Sequence, residues 1–464
     1  GAEDLPRVGR IAEGTIFGEG VEQTVIAAVR DVRPMLVNEV GDQVRAWMMA
    51  PLLIAGREFG AVLCYSYSRH YAESDLEALR DLCHRASLAL EVAQSFARER
   101  RLTQTLQRAT LPPNLARVPG ATVTSIYLAA AQEEQVGGDW YDAFAIDDHR
   151  VIATIGDVTG HGLEASAIMV KLRHALNVVA KYETDPARIL DIVEEVVLQR
   201  YPEAIATAFV AVIDTKLGTV TYANAGHPHP ILRLTDGSTR QLSADGLPVG
   251  LRTMHRSKPA LTTSLAGVEA MVFYTDGLVE VTRNVIEGQH CLTNALSSDA
   301  VPYLSDLAEF VKFSCLRGSL PDDVAVLAIS FSSAAPWKFS SSDAGAAREA
   351  RNAFRQAVGE RGLSPDEILG AELIFGELQS NAARHAGGDV QFALEWRDGD
   401  PVLHMIDRGP GYRVEQLAPD MFAERGRGLW LIERMGGKLD VEPLPGYGNH
   451  TRVTLSRAGK RKSA

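Results

Sequence analysis

Three short apolar runs in the middle of the chain each meet an aspartate beside a turn. VIATIG runs into Asp157, MVFYT runs into Asp276 and Gly277, and Pro321, Asp322 and Asp323 lead into VAVLAIS. Such runs read as strands, and a turn at a strand mouth can present a carboxylate without burying it unpaired. A fourth acidic stretch, VGGDWYDAF at residues 136–144, sets Asp139 and Asp142 behind two glycines and around two aromatics. Alone it is turn chemistry, with Trp140 and Tyr141 capping a core. Carboxylates gathered at sheet edges, with neither thiolates nor a histidine cluster nearby, form the ligand set of hard divalent ions such as magnesium or manganese. Two such ions ~3.5–4 Å apart can share and acidify a water and clamp a phosphate for in-line attack. That chemistry would account for the absence of an evident Ser-His-Asp or Cys-His nucleophile.

At 464 residues the chain suggests about three domains. An apolar share of 46% with 23% charged residues belongs to globular protein and not to disorder. The net charge of -12, with a basic stretch only in RAGKRKSA, argues against a nucleic-acid ligand. Cys64, Cys83, Cys291 and Cys315 are scattered and form no CxxC pair, which fits reduced cytosol better than a disulfide framework or a zinc site. Without an apolar run of ~18 residues or a signal-like opening, the expectation is a cytoplasmic protein with no membrane contact.

The expected organisation is multidomain α/β and α+β. Residues 1–72 are expected to form a first domain, 73–113 a helical linker, 114–333 an α/β sandwich and 334–464 a second α/β layer structure beyond the break SSAAPWKFSSSDAG. WMMAPLLIAGREFGAVLCYSY reads as a hairpin turning at Ala55, Gly56, Arg57 and Glu58. Leu76, Leu79, Cys83, Ala86, Leu90, Ala93 and Ala97 then repeat at spacings of three and four, a seam for a dimerising coiled coil or for packing on the helix's own domain. The helix should stop at Pro112 and Pro113.

The hairpin and following helix resemble the C-terminal half of a GAF sensor domain. VGGDWYD, IGDVTGHG, YANAGHPHP, YTDG and PDDVAVL resemble, in that order, the metal-dependent PPM-type serine/threonine phosphatases of the SpoIIE/RsbU-like branch. That resemblance implies two Mn2+ or Mg2+ ions. It implies Asp157 bridging both, the Val158 carbonyl on one, Asp276 and Asp322 on the other, Asp323 beside them, and Asp139 orienting water, with Asp142 in support. His161 and His227, each beside glycine, are expected to be structural. The helix at 163–180 resembles the branch's switch element, which would couple an upstream dimer to metal binding.

GAELIFGELQSNAARHAGG carries Glu377, Asn381 and His385 at i, i+4 and i+8, nearly one helical face. DRGPGY, GRGLWLIERMGG and PGYGNHTRVTL follow as glycine-bearing turns that permit close approach to phosphates. The set resembles the GHKL ATPase fold of RsbW/SpoIIAB-like anti-sigma-factor kinases. By that likeness Mg-ATP is the cofactor. Asn381 would hold magnesium, Glu377 would act as base on a protein serine, and Asp407 would meet the adenine amine. His385 shares their face, Gly409, Gly411, Gly426 and Gly428 would frame the nucleotide, and Thr451 would assist.

The expected whole is a homodimeric partner-switching regulator. It would dephosphorylate a STAS-type anti-anti-sigma phosphoprotein and carry a kinase module for a sigma factor's control. The alternatives are an ATPase-fold domain that only binds sigma factor or nucleotide, and a sensor histidine kinase. The second places its phosphoacceptor helix directly before the ATP domain, whereas a whole phosphatase-like region intervenes here.

Overall fold

The computed structural model describes residues 33–38, 44–112, 115, 116, 118, 120–130, 137–160, 162–251, 259–318, 320–331, 337–410 and 437–455. The chain divides into two compact units, residues 1–105 and 106–464.

In the first unit β1 (Met35–Asn38), β2 (Ala46–Ile54) and β3 (Arg57–Ser66) form an antiparallel sheet in that order. The two-residue turn Ala55–Gly56 closes the expected hairpin. Period-2 alternation sends Met48 and Ala50 to one face and Trp47 and Met49 to the other. Helix α1 (Glu73–Thr110) covers the first face with Leu76, Leu79 and Cys83. This corrects the coiled-coil expectation for the first half of the seam: those three side chains are buried in their own domain and are not available to a partner helix. Ala86 and Leu90 are half-buried and Ala93 is exposed. His84 is also exposed.

The second unit opens with a four-layer sandwich. One sheet has the order β11-β8-β7-β6-β5 and the other β10-β9-β12-β13-β4. The first contains β5 (Trp140–Ala145), β6 (Arg150–Val158), β7 (Ala206–Asp214), β8 (Thr219–Ala225) and β11 (Leu261–Ser264). The second contains β4 (Thr122–Leu128), β9 (Ile231–Leu234), β10 (Thr239–Gln241), β12 (Val268–Tyr274) and β13 (Val324–Ser330). The ladders between these strands are antiparallel. Strand β13 is apolar throughout because both of its faces are covered. Ala325, Leu327 and Ile329 meet Ile155, Phe209 and Phe273 between the sheets, while Val324, Val326 and Ala328 face outward helices.

Helices α2 (Leu163–Val179) and α3 (Pro186–Leu198) pack on the first sheet. Helix α4 (Gly277–Glu280) follows β12, and α5 (Val285–Leu296) and α6 (Leu307–Cys315) pack on the second sheet.

The C-terminal layers comprise β14 (Trp337–Ser340), α7 (Ala344–Glu360), α8 (Pro365–His385), β15 (Asp389–Arg397), β16 (Asp400–Asp407), β17 (Gly437–Leu444) and β18 (Gly448–Leu455). Helix α8 begins at a capping box in which Ser364 and Glu367 satisfy each other's backbone, with Pro365 at the first position. The sheet order is β14-β15-β16-β18-β17. Along β16, Leu403 and Met405 point to α7 and α8, whereas Ile406 joins the core containing α5 and α6. His404, also on that second side, stacks on Tyr303 with ring centroids 3.6 Å apart. This sheet is therefore covered by its own helices on one face and by the sandwich on the other.

Phe375 of α8 stacks on Phe354 at 4.9 Å and Phe392 at 4.3 Å and is fully buried. Phe375→Ala should lower the stability of this domain by ~3–5 kcal/mol. The measurement is the denaturant midpoint of the transition followed by a probe in residues 337–455.

Candidate metal centre and nucleotide cleft

Antiparallel register carries the acidic strand ends to one edge of the sandwich. Trp140 pairs with Gly156, so the entrance of β5 lies beside the exit of β6. Tyr274 pairs with Val326 and Tyr127 with Ala325, so the exits of β12 and β4 flank the entrance of β13. Asp139, Asp157, Asp276, Asp322 and Asp323, up to 184 positions apart in sequence, thereby come within electrostatic reach of one another.

Each carboxylate has a distinct environment. Asp139 is buried, and burial together with the charges of Asp157, Asp323 and Asp276 pushes its carboxyl well above the usual range, against a hydrogen bond from Thr275. Its Oδ2 is buried without a hydrogen-bond partner. Burial and Asp276 push Asp157 up to about 7, although it shares a hydrogen bond with Asp139. Burial and Asp322 raise Asp276, which caps α4 by accepting from the Gly277 N–H at 2.9 Å. Asp322 is exposed and accepts from the Asp323 N–H at 2.7 Å. Asp323 is buried and accepts from the Ala130 N–H at 2.9 Å.

The double glycine is required by close approach. A Cβ on Gly137 would overlap the Asp323 carboxylate and the Tyr127 hydroxyl, and one on Gly138 would press on the Val158 carbonyl and Asp157 Oδ1. Tyr127 and Thr275 were not singled out from the sequence. Tyr127 hydrogen-bonds Asp323, and burial and that carboxylate hold its phenol strongly protonated. An aromatic in a strand reads as core, so only register could reveal its hydroxyl among acids.

Asp142 does not join the group. Its Oδ2 accepts from Asn177 Nδ2 at 2.9 Å, tying β5 to α2. Ser166 near the start of the same helix donates to the Gly137 and Gly162 carbonyls at 2.8 and 2.9 Å. His227 is buried with its ring nitrogens against Thr207 Oγ1 at 2.9 Å and the Tyr274 carbonyl at 3.1 Å, and burial lowers it to about 3. Both nitrogens serve the fold. His161 lies outside the described residues.

Among the described residues no three acidic, histidine or cysteine side chains already enclose a single point. The donor set nevertheless fits a divalent cation: it is all oxygen, it holds one orphaned buried carboxylate oxygen, and its members raise one another for want of positive charge.

In the C-terminal layers Glu377, Asn381 and His385 lie along α8, the first two half-buried and the last exposed. Asp407 is buried at the end of β16, and burial raises it. Its Oδ1 accepts from the Gly409 N–H at 2.7 Å and from Asn449 Nδ2 at 3.1 Å. A Cβ on Gly409 would crowd Asp407 Oδ1 at 2.9 Å and Ala386 at the end of α8 at 3.2 Å. Thr451 is buried on β18, two residues along from Asn449. Asn449 also donates to the carbonyls of Gly409 and Pro410, a role the sequence motif did not disclose. Gly411, Gly426 and Gly428 lie outside the described residues.

Residues 147–332 match the profile of the family described as Stage II sporulation protein E (SpoIIE), and residues 340–455 that of the histidine kinase-like ATPase domain. The chain joins a SpoIIE domain to a histidine kinase-like ATPase domain. The first match begins after Asp139 and Asp142, whose placement therefore rests on the geometry above. The phosphoserine phosphatase RsbP of Bacillus subtilis is 27% identical over 192 residues, 40% of this chain and 46% of the relative. RsbU of the same organism, also named a phosphoserine phosphatase, is 26% identical over 35% of this chain and 49% of the relative. The chain thus spans about half the length of these curated relatives. The crystal structure of the RsbU and RsbW domains of Rv1364c from Mycobacterium tuberculosis is 26% identical, covering 73% of this chain and 94% of that one with a TM-score of 0.41.

The raised Asp157 has a pH consequence. Because its folded value lies above its unfolded one, its contribution is present below about pH 4 and is lost as pH rises through about 7. Metal-free protein should be less stable at pH 8 than at pH 5, by no more than ~3 kcal/mol from this group, the two units between pH 5 and about 7 at about 1.4 kcal/mol each. Asp157→Asn should flatten that slope in denaturant titrations run across the range.

Proposed function

We propose that the chain is a bifunctional partner-switching regulator: a metal-dependent phosphatase acting on a phosphoserine or phosphothreonine of a STAS-type anti-anti-sigma protein, joined to a protein serine kinase module that also engages a sigma factor. The observation that carries the phosphatase half is the convergence of five aspartates from four strand ends at one edge of the sandwich, with the Oδ2 of Asp139 buried and orphaned. Asp139, Asp157, the Val158 carbonyl, Asp276, Asp322 and Asp323 would hold two Mn2+ or Mg2+ ions, which supply an acidified water as nucleophile and neutralise phosphate charge when bound. Thr275 donates to Asp139, and Tyr127 donates to Asp323, so each buried carboxylate is oriented by a neutral hydroxyl. Asp157 and Asp139 share a hydrogen bond, and both carboxyls would have to be ionised to hold the cations.

In the ATPase half, the two bonds to Asp407 Oδ1 leave Oδ2 to meet an adenine amine. Asn381 would hold the magnesium of Mg-ATP, and Glu377, one turn earlier on α8, would take the serine proton. Residues 1–72 fit a partial GAF-like sensor whose output passes along α1, and dimerisation through the later part of that helix fits the same reading.

Two measurements test the halves separately. With manganese and a phosphorylated STAS-type protein, Asp157→Asn should release phosphate at least ~100-fold more slowly than wild type, the scale of losing a principal electrostatic element. Equal rates would remove the metal-site assignment. With radiolabelled ATP and the unphosphorylated partner, wild type should transfer label and Glu377→Gln should lose it while still binding nucleotide. An unlabelled partner in the wild-type reaction would leave a binding module instead of a kinase.

A further inference from the structure

The residues that neighbour the nucleotide cleft on the other side of the ATPase sheet are built into the phosphatase half. Alternation turns Arg408 away from Asp407. Its guanidinium pairs with Glu309 of α6, Nη2 to Oε2 at 2.7 Å, and lies over the rings of Tyr447 at 3.7 Å and Phe313 at 4.5 Å. Tyr447 stands in the turn between β17 and β18, two residues before the Asn449 that grips Asp407. It is buried edge-on against Phe310 at 5.1 Å. At Gly446 in the same turn a Cβ would overlap the Phe313 carbonyl, so the two backbones touch. The described parts of the first and last of the three glycine-bearing turns, at Arg408 and at Gly446, therefore have one side on α6. That helix ends at Cys315, and the chain reaches Asp322 seven residues later.

We propose that Arg408 and Tyr447 make α6 a sensor of nucleotide occupancy: a purine nucleotide docked at Asp407 fixes the 407–409 turn and thereby holds α6 and the aspartates that follow it. The inference rests on the reading of Asp407 as the adenine contact. It adds that the two activities of the chain are linked through a contiguous packed path of five side chains: Asp407's neighbour Arg408, then Tyr447, Phe313, Phe310 and Glu309. Linkage makes the effect reciprocal, so whatever orders α6 should also tighten nucleotide binding.

The test is hydrogen exchange on the full chain with magnesium alone and with magnesium plus ADP, beside calorimetric ADP titrations. In wild type, ADP should slow exchange of the α6 amides and of residues 320–323 by about five-fold, the low end of ordinary coupling. Glu309→Ala should still bind ADP, at most about five-fold more weakly than wild type, the reciprocal of that coupling, and lose the protection. Phe313→Leu, which keeps an apolar side chain and the backbone contact, should lose most of it. ADP binding to wild type without protection of α6, or equal protection in Glu309→Ala, overturns the linkage alone. No ADP binding to wild type overturns the linkage together with the nucleotide-site reading.

Discussion

Mutual repulsion among buried carboxylates is the constraint around which the sandwich is built. Two unit charges ~4 Å apart repel by about 4 kcal/mol at an effective dielectric near 20, and five aspartates from both sheets share one edge of the sandwich here. Packing must hold them there. Phe209, Phe273, Ile155 and Leu327 fill the space between the sheets and set the register. Asp157, Asp276 and the Asp322–Asp323 pair then follow as strand termini. Burial without opposite charge raises Asp139, Asp157 and Asp276 together.

The same economy of surfaces governs the ATPase half. Strand β16 is buried on both sides, so its alternate residues serve two purposes. Leu403, Met405 and Asp407 belong to the helix side, whereas His404, Ile406 and Arg408 belong to the sandwich side. The buried His404 accompanies this junction, stacked on Tyr303 and beside His450 at 2.9 Å, with Glu395 at 3.2 Å. Burial keeps that imidazole neutral near neutral pH, lowering it to about 4.

Much of this was legible beforehand because it is local. The hairpin turn at Ala55–Gly56, the stop of α1 before Pro112, the capping box of α8 and the strand-end acids each declare themselves within a few residues. The seam of α1 left two readings open for a local reason too. Three- and four-residue spacing marks one buried face without saying what buries it, and Leu76, Leu79 and Cys83 are buried by their own sheet. Tyr127, Thr275 and Asn449 could not be found that way, since their polar atoms matter only through neighbours about 40 to 200 positions distant.

The sequence by itself determined the element types, the order of the two family domains and the supply of acids at strand ends, because propensity, turn chemistry and motif spacing act over short distances. The tertiary structure alone decided that Gly137 and Gly138 are needed for closeness and that Asp142 anchors α2. It alone turned Arg408 away from Asp407 and toward α6. Those outcomes depend on strand register and on which face of a sheet finds a partner, and neither is encoded in any single segment.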